Sequence, residues 1–328
     1  MRAPTLSPSA YQRVTLVALL SLAFIIVTGG AVRLTGSGLG CPDWPNCDQG
    51  RLVAPLEYHA LVEFVNRSIT GLVSVAVILA VLGSLLRQPR RRDLVWLSVG
   101  LVGGVIGQIV LGGLTVLFEL RPPFVMAHFL LSMVILGNAV VLHWRAGEPP
   151  RPSQPPAGAP PPPTVGPDIR RLGSVILATT ALVVFLGTVV TAAGPHGGDE
   201  DVERLDVPLH RAAQLHGAAA MLLVTMVATM LFLLVRGPSP MEVRRQARIL
   251  LGVVVAQAGI GYLQYFTGVP VLLVGAHIAG ATALWATAVR FGLGLGHGRT
   301  AQSEHEGRAE AEADGRPEVF SASIDGAR

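Results

Sequence analysis

Phe124–Trp144 reads FVMAHFLLSMVILGNAVVLHW, 21 residues with no Asp, Glu, Lys or Arg. A helix rises about 1.5 Å per residue, so about 20 apolar residues cross the hydrocarbon core of a bilayer. Seven more stretches meet that length: Val14–Val32, Ala60–Leu86, Leu94–Leu117, Leu172–Ala192, Ala212–Val235, Ile249–Thr267 and Val271–Arg290. Backbone N–H and C=O groups in lipid must be satisfied within the segment, which makes such runs helices. The expected fold is therefore an all-α integral membrane protein with eight transmembrane helices. Composition agrees, since 14% of the 328 residues are charged against about 25% in soluble domains. The first run is too long for a signal-peptide core and no small-residue cleavage site follows it, so it is expected to stay as a helix.

All 25 basic residues are arginines. They sit in short clusters between apolar runs, the pattern of a membrane orientation signal and not of a nucleic-acid surface. Nineteen of the 25, among them Arg87, Arg90, Arg91, Arg92, Arg244, Arg245 and Arg248, fall on one side of the predicted spans. Five fall on the other side and Arg67 lies inside a span. The positive-inside rule then places both termini in the cytoplasm of a cell with this protein in its plasma membrane.

Gly147–Pro167 is proline-rich, with an unbroken run at Pro160–Pro163. Such a segment reads as an extended cytoplasmic linker. It divides the chain into an N-terminal four-helix half (residues 1–146), a linker (147–169), a C-terminal four-helix half (170–296) and a polar tail (297–328) expected to be disordered. The halves repeat one another. Gln108 precedes His128 by 20 residues, and Gln257 precedes His277 by the same 20. Val125-Met126-Ala127-His128 aligns without a gap on Val274-Gly275-Ala276-His277, and a shift of 150 sets Asn66 opposite His216. An even number of spans per repeat keeps both halves in the same orientation, so the expected architecture is two pseudo-symmetric four-helix bundles with sites between facing helices.

Polar groups inside a span cost about 2.5–3.5 kcal/mol each on the insertion scale and usually serve a function. His216 and His277 start the second and fourth helices of the C-terminal half at comparable depth. Two imidazoles facing each other across a bundle can ligate a heme iron from both sides; either one alone reads equally as a buried polar contact. No cluster of three or four ligands suggests zinc. In the N-terminal half His128 occupies the same position as His277, but its partner position is Asn66. Glu63, Asn66 and Arg67 share one face of the second helix. Glu63 reads either as half of a self-neutralising ion pair with Arg67 or as a carboxylate that moves protons beside an iron or substrate. Two axial histidines suit a permanent cofactor, while one leaves a pocket open to a changing ligand.

His59 lies on nearly the same face as Asn66 but about 10 Å further out, and reads as an interfacial residue, with a stand-in ligand or a gate as the alternatives. His210, with Arg211, is placed either to meet heme propionates or to cap its helix. His143, His196, His297 and His305 fall in loops or the tail and receive no role. The only two cysteines, Cys41 and Cys47, share the first outer loop. An oxidising compartment favours a disulfide there, and a redox relay is the alternative. That loop is eight residues longer than its counterpart, measured from Gly36 to Asn66 against Gly194 to His216, as expected if it covers a substrate in the half with the open site.

The stretch Gly30-Ala31-Val32-Arg33-Leu34-Thr35-Gly36-Ser37-Gly38-Leu39-Gly40-Cys41-Pro42-Asp43-Trp44-Pro45, the Glu63-Phe64-Val65-Asn66-Arg67 motif and the histidines on alternate helices resemble the heme A synthase family. The resemblance covers roughly residues 13 to 295, and its most specific part is Gly38–Pro45. It implies oxidation of the C8 methyl of heme O to a formyl group, giving heme A for cytochrome oxidase, through successive hydroxylations and loss of water from a gem-diol. It implies heme B as cofactor on His216 and His277, heme O as substrate beside His128, Asn66 and Arg67, and Glu63 as the catalytic carboxylate. Cys41 and Cys47 match the family's outer-loop pair. The implied partners are the farnesyltransferase that makes heme O (heme O synthase), cytochrome oxidase assembly factors and an electron acceptor the sequence does not identify; a homo-oligomer is compatible with it. The chain departs from the family at Asn66, where many members carry histidine, and Ala193–Leu209 lacks the cysteine pair of some members. A membrane b-type cytochrome that only passes electrons is the rival reading, since it explains His216 and His277 but leaves Glu63 and the first loop idle. A transporter fits less well, because no broken helix pair is evident and the polar groups lie near one face.

Overall fold

The computed structural model describes residues 5–148 and 165–296, and these form eight long helices. They are α1 (Pro8–Leu34), α2 (Tyr58–Leu86), α3 (Arg92–Leu117), α4 (Pro122–Ala146), α5 (Pro167–Ala193), α6 (Leu209–Arg236), α7 (Met241–Phe266) and α8 (Val271–Gly296). All eight are long and apolar enough to cross a membrane. Residues 149–164 of the expected linker and the whole expected tail lie outside the described residues. α5 begins at Pro167, inside the stretch read as linker.

Several helices start earlier than their apolar runs. α1 gains almost two turns because Ser7 caps it, its hydroxyl accepting from the Ala10 amide at 3.3 Å, and Pro8 follows in the first turn. α7 starts at Met241, eight residues before Ile249. Its extra turns carry Glu242, Arg244, Arg245 and Arg248, which an apolar-length criterion cannot see. Glu242 in the first turn suits the positive end of the helix dipole. His143 is corrected from loop to helix: it lies in the last turn of α4, where its Nδ1 meets the Thr15 hydroxyl at 3.1 Å.

Each half has its own apolar core. One is built on Tyr11, Ala18, Val77, Leu94, Leu101 and Leu142 of α1–α4, and the other on Ile176, Leu223, Val227, Met230, Leu250 and Phe291 of α5–α8. Tyr11, fully buried, satisfies its hydroxyl on Ser98 at 2.9 Å, as a buried phenol must. Between the halves, α1 and α4 pack on α8, and α4 also meets α5. The seam is a smaller apolar cluster of Ile26, Met133, Leu136 and Val184 with Trp285 against it. The Trp285 indole N–H donates across it to the Met133 carbonyl at 2.7 Å.

The loops after α1, α3, α5 and α7 gather at one end of the molecule, here the disulfide end. Arg33 at the end of α1 donates to the Thr191 carbonyl of α5 at 2.9 Å, and Arg204 donates to the Gly194 carbonyl. Two guanidinium groups thus cap the carbonyl end of α5, where positive charge is favoured. The Gly38 amide donates to the Gly198 carbonyl at 2.9 Å, and His196 Nε2 meets the Val269 carbonyl at 2.9 Å. At the opposite end Arg91 holds Asp93, Glu148 and the Arg145 carbonyl, and Arg290 stacks 3.4 Å over the Trp144 ring while reaching Glu242 at 3.8 Å.

Candidate functional site

Three histidines stand on α4, α6 and α8, each within two turns of the disulfide end. His216 and His277 face each other, with ring centroids 6.2 Å apart and planes at 76°. Two metal–nitrogen bonds of about 2 Å each, with each nitrogen roughly 1 Å from its ring centre, sum to about 6 Å. The spacing of this pair therefore fits one iron held between two imidazoles. His216 Nδ1 lies 3.1 Å from the Val183 carbonyl of α5. A carbonyl can only accept, so Nδ1 carries the proton and Nε2 keeps a lone pair for a metal, the usual way a backbone carbonyl sets a histidine's tautomer. The donor set thus suits a bis-histidine heme.

Glycines make room for these rings. A Cβ on Gly187 of α5 would lie 3.2 Å from His216 Cε1, and one on Gly261 of α7 would lie 3.1 Å from His277 Cε1. In the N-terminal half, a Cβ on Gly112 of α3 would lie 3.3 Å from His128 Cε1. Gln257 of α7 donates to the His277 carbonyl at 2.7 Å, and Gln108 of α3 donates to the His128 carbonyl at 2.9 Å and to Ser132 at 2.7 Å. The repeated glutamines, noted in the sequence without a role, are latches between neighbouring helices. The glycines were missed, although Gly112 and Gly261 stand at the same 149-residue shift as the histidines.

Glu63, Arg67 and the first loop form one unit. Glu63 is buried, and its Oε1 accepts from Arg67 Nη2 at 2.6 Å and Nε at 3.0 Å. Its Oε2 accepts from the Cys41 amide at 2.8 Å. Arg67 also donates to the carbonyls of Cys41 (3.0 Å), Asp43 (3.2 Å) and Asn46 (2.9 Å). Cys41 and Cys47 are joined by a disulfide, and both are buried with Ala54, Ala60 and Phe64 around them. The ion pair expected on one reading of Glu63 is present, and it also clamps the disulfide loop to α2. Trp44 of the same loop lies on α3, where a Cβ on Gly113 would come 2.8 Å from its indole. Gly113 adjoins the Gly112 that seats His128, so loop and histidine pack on neighbouring positions of α3.

Asn66 follows the Glu63 clamp by one turn, and its Oδ1 is buried with no hydrogen-bond partner among the described residues. His59 is exposed, and its Nδ1 meets the Ser37 hydroxyl at 2.9 Å. His210 and Arg211 are exposed at the start of α6. No group of three or more His, Cys, Asp or Glu among the described residues could hold a metal ion without a further ligand frame.

Eight membrane-length helices define a multi-pass membrane protein, with two imidazoles facing one another near one end. The model of the cytochrome oxidase assembly protein family (COX15-CtaA) matches residues 12–195, more than half of the chain, and the chain belongs to that family. Among its relatives are the heme A synthases of Bacillus licheniformis (25% identical over 134 residues, 40% of this chain and 44% of the relative), Geobacillus kaustophilus (28% over 139 residues, 41% and 43%) and Listeria welshimeri (32% over 122 residues, 36% and 40%). The matched stretches span less than half the length of each of these relatives.

Proposed function

We propose that this protein is a heme A synthase of the plasma membrane, converting the C8 methyl of heme O into a formyl group to supply heme A to cytochrome oxidase. The observation that carries the proposal is the His216–His277 pair at 6.2 Å in a member of this family. Relatives named heme A synthase support the reaction. In this reading the two halves are pseudo-symmetric bundles with both termini cytoplasmic and the heme sites near the outer face, which the arginine distribution supports.

His216 and His277 hold heme B, which supplies one-electron chemistry when bound. His128 holds the substrate, heme O, in the N-terminal half, with Asn66 and Arg67 beside it. With water as the source of oxygen, the net conversion of methyl plus water to formyl releases four protons and passes four electrons to the electron acceptor, through two hydroxylations and a gem-diol that loses water. Glu63 is the carboxylate that takes up protons released there, exchanging its Oε2 bond to the Cys41 amide for the substrate. Arg67 positions Glu63 and holds the loop that excludes water from the site. Heme O synthase, oxidase assembly factors and an electron acceptor are the partners of this reaction.

Chromatography of hemes extracted from membranes of a heme-O-making host expressing the chain tests the reaction. Heme A or its hydroxymethyl precursor is the expected product. Heme B alone, with a low-spin two-histidine spectrum and a competent redox partner in the host, would replace this reading with that of an electron-transferring b-type cytochrome.

A further inference from the structure

We propose that the N-terminal site holds its iron on His128 alone and keeps the opposite position, over Gly29 and beside Asn66, open to a small neutral diatomic ligand. The inference rests on the reading above that His128 holds a heme. Three corresponding places in the two halves carry it. In the C-terminal half the His216 ring comes from α6 and fills the space over Gly187 of α5. A shift of 158 residues takes Gly187 to Gly29 of α1, where among the described residues nothing lies within 4 Å of an added Cβ.

The orienting carbonyl has also been reassigned. Val183, whose carbonyl accepts from His216 Nδ1, corresponds to Ile25 at the same shift. The Ile25 carbonyl accepts from the Thr28 hydroxyl at 3.3 Å instead. The position of the ring itself is held by Asn66, whose shorter side chain ends in a buried Oδ1 without a partner among the described residues. Seat, orienting acceptor and ligand all differ together, while the His128 side keeps its full equipment. Gln108 still latches the His128 carbonyl and Gly112 still seats the ring. His59 is engaged by Ser37 and is exposed, so it does not fill the gap. Arg67, the residue after Asn66, is already held by Glu63 and three loop carbonyls. The seat therefore offers an empty space over Gly29 and a buried neutral amide, which suits a neutral diatomic molecule better than an anion without a counter-charge of its own.

Purified, heme-loaded protein is reduced with dithionite and titrated with carbon monoxide, and bound gas is compared with total heme. The expected result is one carbon monoxide per two hemes and a high-spin fraction in the oxidised protein. Asn66→His should cut carbon monoxide uptake at least tenfold with heme content unchanged, because an imidazole then fills the Gly29 seat. Gly29→Leu should do the same by bulk without supplying a ligand, and His128→Ala should remove the gas-binding heme itself. Two hemes per chain with no carbon monoxide uptake would overturn the open position while leaving the heme assignment standing. One heme per chain, on His216 and His277 only, would instead overturn the N-terminal heme on which both readings rest.

Discussion

Replacing Arg67 by methionine keeps an unbranched apolar stem and removes five hydrogen bonds: two to Glu63 and three to carbonyls of the disulfide loop. Glu63 would be left without its cation at a position where its side chain is 7% exposed. Removing one partner of a buried pair costs about 3–5 kcal/mol. Arg67 is itself 26% exposed, so the lower end, about 3 kcal/mol, is the appropriate figure. The loss falls on the attachment of the loop to α2. Both cysteines are buried, at 0% and 1%, so a water-borne reductant reaches their sulphurs only when the loop opens. At about 1.4 kcal/mol per tenfold, reduction of Cys41–Cys47 by a phosphine should accelerate about 100-fold in R67M. The assay is a time course of alkylation by mass spectrometry in detergent or nanodiscs. Glu63→Gln keeps an acceptor for the Cys41 amide and should accelerate reduction about tenfold, and the double variant should fall short of the product of the two effects. Reduction of R67M within twofold of the parent rate would refute the clamp.

His216→Ala should abolish the low-spin heme B spectrum, whereas Glu63→Ala should leave it intact and stop formation of heme A; heme A made at the normal rate in Glu63→Ala membranes would remove Glu63 from the chemistry. Gly261→Val adds a branched side chain where even a Cβ lies 3.1 Å from the His277 ring, and overpacking of this kind costs about 1–3 kcal/mol. Titrated with heme, that variant should bind at least fivefold more weakly while its helical circular dichroism is unchanged, and equal affinity would show that the ring is not seated on Gly261.

The eight spans were legible because lipid imposes one rule, an unbroken apolar helix of sufficient length, and Phe124–Trp144 satisfies it without reference to the rest of the chain. The start of α7 was not, since its first turns are stabilised by Glu242 and its neighbours and not by burial in lipid. His128 and His277 could be found because ionisable groups are costly in a span and the two recur at a shift of 149, and His216 because it stands opposite Asn66 at a shift of 150. The partners of Arg67 could not. Its spacing from Glu63 announces a helical ion pair, but the carbonyls of Cys41, Asp43 and Asn46 become acceptors only through the path of a loop whose course depends on distant contacts. The seats at Gly112, Gly187 and Gly261 were hidden for a different reason: glycine is abundant in membrane helices, so one that seats a histidine looks like any other until the ring lies against it.

Trp285 reaches from α8 to a carbonyl of α4, so the two helices that carry His277 and His128 are tied within a single polypeptide. Two identical chains assembled in this way would have to carry any change at both sites, so an asparagine in place of the second-helix histidine would stand in both halves. Joined in one chain, the copies can diverge. Asn66 changes one half while His216 is kept in the other, which on the proposed function would let one molecule combine a fixed electron carrier with a reaction chamber that a symmetric pair could not specialise separately.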